Sequence, residues 1–285
     1  METEKEKYRT ARAFRTSIAD RLKRQAKATN EPYTDLYRRV AIDRFLARID
    51  WSKWTAKGGY VLQRRLSKAR RTKDIDLSTA HASFLLVDDR AQQAALIENI
   101  QEMASVDVGD YFDFQVKFDK ALQGFGKGGI RCQVRCFIDG QLWSTFQVDA
   151  VVQDETVFPS EELKGDAFLS FAGLEPLTLR VPVKEEVFAE KIHAYTVPRQ
   201  NENSRVKDML DLALLIEDGL DVGKTKTAVS AVFLTRKTHP VPSELPAPPS
   251  NWRDVFAELV KDTGVELTLD RAFSFVAEFY RSLKL

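Results

Sequence analysis

The chain has 285 residues, of which 44% are hydrophobic and 30% charged, enough apolar material for one or two ordinary cores and a composition that excludes disorder. It contains no apolar run of 18 residues, which excludes a transmembrane helix, and charge from its second residue onward is unlike a secretory signal, so a cytoplasmic protein is expected. The net charge of +1 hides an asymmetry: residues 1–73 hold 21 Lys and Arg against 8 Asp and Glu, a surplus of 13 positive charges, and the remainder carries 22 basic against 34 acidic residues. A basic segment of this kind suits a polyanionic partner, with nucleic acid the natural candidate; the plainer alternative is a solvated helix surface.

Taken in chain order, residues 3–28 and 33–49 read as two amphipathic helices, the second opened by Asn30 as a cap with Pro32 in its first turn. Together they form a basic helical segment over 1–50. A mixed α/β body is expected over 51–183. It holds a helix between Asp89 and Ser105, an alternating strand from Tyr111 to Phe118, and a second strand with Ile130, Cys132, Val134, Cys136 and Ile138 on one face. Asp139-Gly140 then signals a two-residue hairpin into a strand from Gln141 to Val152, paired antiparallel with its predecessor. From Lys184 the pattern turns helical over 184–285. Residues 240–249, which hold five of the ten prolines, make a loop before helices over 251–262 and 268–284, the last with Ala272, Phe275, Val276, Phe279 and Leu283 at helical spacing.

Cys132 and Cys136 lack the further Cys or His residues of a zinc site and read as reduced core residues. The Gly219 to Thr225 stretch resembles a P-loop but has three residues between its glycines where four are needed. Gly124 to Gly129 reads as a flexible turn, and His193 as a packing residue beside the helix that carries Lys191.

The most informative stretch is Gly58 to Leu77, which sets a glycine pair, an apolar helical start, a basic loop and Asp74-Ile75-Asp76 in sequence. In a strand, Asp74 and Asp76 point to one face while Ile75 points into the core, so the two carboxylates can share a divalent cation. Hard carboxylate oxygens suit Mg²⁺, with Mn²⁺ as the alternative. Asp-x-Asp is common on exposed strand ends, so the tripeptide gains its meaning from the glycines and arginines before it.

With those residues the sequence resembles the first motif of the AbiEii/AbiGii-type nucleotidyltransferase toxins. The resemblance spans roughly residues 57–216 and rests on four motifs in the right order. It implies an α/β (α+β) fold of the DNA polymerase β type: a mixed sheet with N-terminal helices and a C-terminal helical domain. It places a third carboxylate at Asp149, which by alternation faces away from Val148 and Ala150 and needs either a partner charge or water. The two later motifs match Lys191, in Glu186 to Tyr195, and the Asp208–Asp211 pair, in Asn203 to Leu212. Lys191 lies on the stripe of Val187 and Tyr195, where its ammonium either snorkels along apolar surface or reaches a nucleotide's phosphates. Asp211, bordered by leucines, is expected to pair with Lys191 or Arg205, and one of the two acids is a candidate base.

The resemblance further implies nucleotide binding by Gly58, Gly59, Arg71, Thr72 and Lys191, and acceptor-backbone binding by Arg64, Arg65 and Arg70. Tyr60 stands where many relatives carry a small hydroxyl residue, and Thr72 is the candidate substitute. Within the family the basic helical start is similar to the mycobacterial MenT-type toxins. That narrower likeness implies transfer of nucleotides from a nucleoside triphosphate to the 3′ end of transfer RNA, which blocks aminoacylation, and a cognate antitoxin protein as partner. The rival readings are a protein or small-molecule acceptor and a GTP- or nucleic-acid-binding module without catalysis.

Overall fold

The computed structural model describes residues 8–285 apart from 87, 123–126, 154, 155, 166, 201 and 262. Part of the Gly124 to Gly129 stretch and the first residues of the expected helix over 3–28 lie outside the described residues. The chain divides into two compact units that it enters repeatedly: residues 1–58, 73–154 and 162–180 form the first, and 59–72, 155–161 and 181–285 the second. The sequence pattern predicts three consecutive segments, 1–50, 51–183 and 184–285. In the structure the N-terminal helices share a unit with the sheet, because their apolar stripes are buried on its strands.

Unit 1 is built on a five-stranded sheet of β1 (Thr55–Lys57), β2 (Asp74–Thr79), β3 (Phe112–Leu122), β4 (Gly129–Ile138) and β5 (Gln141–Val152), in the order β1-β2-β5-β4-β3. β2 runs parallel to β5, and the other neighbours are antiparallel. The expected hairpin is present, with Asp139 at φ 56° and Gly140 at φ 65°, the two positive values that a type I′ turn requires. One face is apolar: Ile75, Leu77, Val134, Val148 and Ala150 are fully buried. Two helices, α1 (Ala11–Thr29) and α2 (Tyr33–Leu46), supply aromatic cover. Phe14 meets Phe112 edge-on, and Phe45 meets Phe114 and Phe146 in the same way, each at ring-centroid separations below 6 Å. A further helix, α4 (Asp89–Ala104), packs along β3 and β4. Beneath these elements the buried carboxylate of Asp110 accepts from Arg44 Nε at 2.7 Å and from both terminal nitrogens of Arg48.

Asn30 does not cap α2. It ends α1 in the left-handed region at φ 54°, which asparagine tolerates well, while Pro32 precedes α2 with no side-chain cap bond.

Unit 2 gathers α3 (Gly58–Arg65, from Gly59 onward) with α5 (Lys184–Thr196), α6 (Val206–Glu217), α7 (Val222–Arg236), α8 (Trp252–Lys261) and α9 (Leu269–Ser282). Its core draws Leu62 from α3, Phe188 and Ile192 from α5, Leu212 and Leu215 from α6, and Phe256 and Val276 from the last two helices. Phe275, expected on the inner stripe of α9, is 42% exposed, and Tyr280 is buried instead, donating its hydroxyl to the Pro242 carbonyl. The 3.6-residue period carries the stripe past Phe275, so Ala272, Val276 and Tyr280 line it at intervals of four. Among the described residues no helix is long and apolar enough to cross a membrane.

Candidate active site

The polar face of the unit 1 sheet carries the acidic residues. Asp74 and Asp76 sit half-buried on β2 with Ile75 fully buried between them, as alternation predicts. The parallel register pairs Asp76 directly with Asp149 and Asp74 with Gln147, so the third carboxylate stands beside the second on the neighbouring strand, about 4.8 Å away in the pairing direction. Lys57 is in register with Asp76 on the other side. Gly58 follows Lys57 with φ +74°, and a Cβ there would lie 1.6 Å from Asp76 Oδ2, so any side chain here would displace this carboxylate.

Asp149 is not alone on its strand. Arg131 on β4 donates from Nε to Asp149 Oδ1 at 2.7 Å and from a terminal nitrogen to Oδ2 at 2.6 Å. Hydrogen bonding to Asp149, together with its charge and that of Asp74, raises the Arg131 pKa above its ordinary value although burial works the other way. Sequence reading missed this partner. On the opposite face, burial and the charge of Asp149 push the Cys132 thiol up to about 11, which fits its expected role as a reduced core residue. Among the described residues no group of three or more His, Cys, Asp or Glu side chains is assembled as a ready metal cage. The donor chemistry nonetheless fits a hard divalent ion: two carboxylates share a strand face, a third lies in register beside them, and a glycine is kept where any side chain would displace Asp76.

Unit 2 holds a second charged cluster. Lys191 Nζ on α5 donates to Asp208 Oδ1 at 2.7 Å and to Asp211 Oδ2 at 2.9 Å, both carboxylates lying on α6. Arg70 grips Asp211 with both ends of its fork, Nε to Oδ1 at 3.2 Å and a terminal nitrogen to Oδ2 at 3.1 Å. Arg205, the other partner expected for Asp211, faces Asp208 at 3.5 Å. Burial disfavours the Lys191 cation, but Asp211 and Asp208 overcome it and raise its pKa well above the ordinary lysine value. Burial likewise works against ionised Asp208, and the Lys191 charge reverses this, leaving its pKa below the usual carboxylate value. The Asp211 side chain is only 2% exposed, and both its oxygens accept from cations, so it is poorly placed to take a proton from a substrate.

The glycine pair divides between the units. The Cβ position of Gly59, in the first turn of α3, would lie 3.1 Å from an Arg70 nitrogen and 3.1 Å from the Thr72 hydroxyl, so a bare backbone here lets the basic loop fold back on the helix start. The arginines assigned to RNA are largely taken up inside unit 2. Arg65 pairs with Glu161 and donates to the Pro182 carbonyl, Arg70 holds Asp211, and Arg64 lies over the Tyr60 ring and donates to its hydroxyl at 2.9 Å. Arg71 and Thr72 are half-buried. His193 packs in the α5 interior, edge-on to Phe233 at 4.9 Å and hydrogen-bonded to Thr238, and burial pushes its pKa down to about 4.

The sequence matches the family described as nucleotidyl transferase AbiEii toxin, type IV toxin–antitoxin system, over residues 44–278. The structure is similar to that of MenT4, a nucleotidyltransferase toxin of Mycobacterium tuberculosis H37Rv, at TM-score 0.56 and 18% identity, covering 93% of this chain and 98% of that one. It also aligns with JHP933 of Helicobacter pylori at TM-score 0.47 and 10% identity, covering 87% of this chain and 91% of that one. No match was found among curated proteins. At such identity the likeness to MenT4 establishes the mixed α/β fold, while the family match spans most of the chain. The chain is therefore a nucleotidyltransferase and a member of the AbiEii family of type IV toxin–antitoxin toxins.

Proposed function

We propose that this nucleotidyltransferase moves a nucleotide from a nucleoside triphosphate to the 3′ end of transfer RNA and depends on a divalent cation, Mg²⁺ or Mn²⁺, to do so. The observation that carries the reading is the register that sets Asp76 beside Asp149, with Asp74 on the same face. Asp74, Asp76 and Asp149 would hold the cation, which supplies a lowered pKa for the attacking hydroxyl and neutralises charge on the transferring phosphoryl group. The 3′-oxygen attacks the α-phosphorus, the bond to the β-phosphate oxygen breaks, pyrophosphate leaves and the hydroxyl proton passes to water.

The protein's own groups bind and position. Lys191, Arg70 and Arg205 are set against Asp208 and Asp211, three cations to two anions, so these five side chains keep one positive charge that favours a polyphosphate. Asp211 holds Lys191 and Arg70 in place, a positioning role in preference to that of a base. With Arg71 and Thr72 beside it in sequence and Gly59 close to it in space, Arg70 closes the basic loop that leads to Asp74. For the acceptor, α1 buries Phe14, Ile18 and Leu22 and leaves Arg12, Arg21, Lys23, Arg24 and Lys27 exposed, which suits an RNA backbone better than a small molecule. An antitoxin protein restrains the activity, as membership of a toxin–antitoxin family implies, and the site of action is the cytoplasm.

The test is to offer the protein α-labelled nucleoside triphosphates, Mg²⁺ and transfer RNA with an intact or periodate-oxidised 3′ end. Label in the intact RNA alone is expected. Label in both RNAs, or in protein or small acceptors instead, would overturn the assigned acceptor end.

A further inference from the structure

The register of the sheet lines up charged residues at one level across four strands: Lys57 on β1, Asp76 on β2, Asp149 on β5 and Arg131 on β4. Two adjacent carboxylates are thus bracketed by two cations. This alignment depends on a β-bulge. Counted back from the Asp139-Gly140 turn, Phe137 pairs with Leu142, a register that would bring Ile130 opposite Asp149 and turn the carboxylate toward the apolar face. The shift between Cys136 and Phe137 moves the pairing by one residue and sets Arg131 opposite Asp149 instead. The resulting pair is bidentate, with contacts of 2.7 and 2.6 Å, and the two side chains are 27% and 15% exposed. A guanidinium fork so placed fixes the plane of the carboxylate, and each oxygen retains a lone pair.

We propose that Arg131 is a positioning residue for the cation site, holding the Asp149 carboxylate oriented so that it can join Asp74 and Asp76 when the metal arrives. This rests on the reading that those three carboxylates bind the ion. Outer partners of metal-binding carboxylates commonly govern affinity, and their loss weakens binding about 10- to 100-fold. Arg131 could instead compete with the metal for Asp149, in which case its removal would tighten binding. The two roles therefore predict opposite signs.

The experiment is calorimetric titration of the full-length protein with Mn²⁺ alone, comparing the unsubstituted chain with Arg131→Gln, Arg131→Lys and Asp149→Asn, each checked for folding by circular dichroism. The expected result is Mn²⁺ affinity weakened about 10- to 100-fold in Arg131→Gln, with partial recovery in Arg131→Lys, which keeps the charge but loses the fork. Unchanged or tighter binding in a folded Arg131→Gln would overturn the inference while leaving the metal reading intact. Equal binding by Asp149→Asn and the unsubstituted chain, or no binding by either, would overturn the metal reading itself and this inference with it.

Discussion

Replacing Gly58 with alanine separates the site from the fold. The new Cβ would fall 1.6 Å from Asp76 Oδ2, whereas ordinary van der Waals contact begins at 3.4 Å, so the carboxylate must retreat by the difference of 1.8 Å. The clashing atom is the far end of a side chain, so rotation about the Asp76 χ angles absorbs most of the movement at about 0.5–1.5 kcal/mol. Holding a non-glycine residue at φ +74° adds about 1–2 kcal/mol. The fold should survive, with a fall in unfolding free energy of about 1.5–3.5 kcal/mol by urea titration. Activity should fall much further, because misplacing a catalytic group by about 1 Å costs on the order of 100-fold in rate. The assay is transfer of α-labelled nucleotide measured beside the denaturation curve. A Gly58→Ala protein as active as the parent would refute the reasoning, since Asp76 would then work equally well from a displaced position.

Other consequences follow from the same geometry. Lys191→Met should raise the KM for the nucleoside triphosphate more than it lowers kcat if the lysine serves the phosphates, and steady-state kinetics with varied triphosphate would show the opposite split if it acts only in the transition state. Asp110→Ala should cost about 3–5 kcal/mol of stability, because it strands Arg44 and Arg48 in the unit 1 interior; a loss below about 1 kcal/mol by denaturant titration would mean that the cluster is hydrated. His193 has its folded pKa depressed to about 4 from 6.5, so the unfolded chain binds its proton first and stability falls as pH drops through that window. His193→Gln should therefore flatten the acid-side slope by up to about 1.4 kcal/mol per pH unit, as read from denaturation midpoints between pH 7 and 4.

The features legible in the sequence were those written in local periodicity. Alternation placed Ile75 inside and its two aspartates outside, Asp139-Gly140 gave the hairpin, and the proline stretch gave the break before α8. Elements set by distant contacts were not legible. The chain leaves unit 1 after Gly58 and returns at Lys73, and nothing in that short stretch marks Leu62 and Leu66 as core residues of the C-terminal helices. The pairing of Arg131 with Asp149 was hidden by the bulge, since the unbroken register from the hairpin turn places Arg131 opposite Val148. Arg70 read as one more basic residue in a basic loop, and its partner lies 141 positions away on α6.

The central claim, that Asp74, Asp76 and Asp149 support nucleotide transfer to RNA, is tested most directly by incubating the purified protein with total RNA, Mg²⁺ and each α-labelled nucleoside triphosphate, with Asp76→Ala alongside. Label entering small RNA with the unsubstituted protein alone is the predicted result. Equal labelling by Asp76→Ala would contradict the assigned site, and no label in RNA, protein or small acceptors under any triphosphate would contradict the proposed reaction.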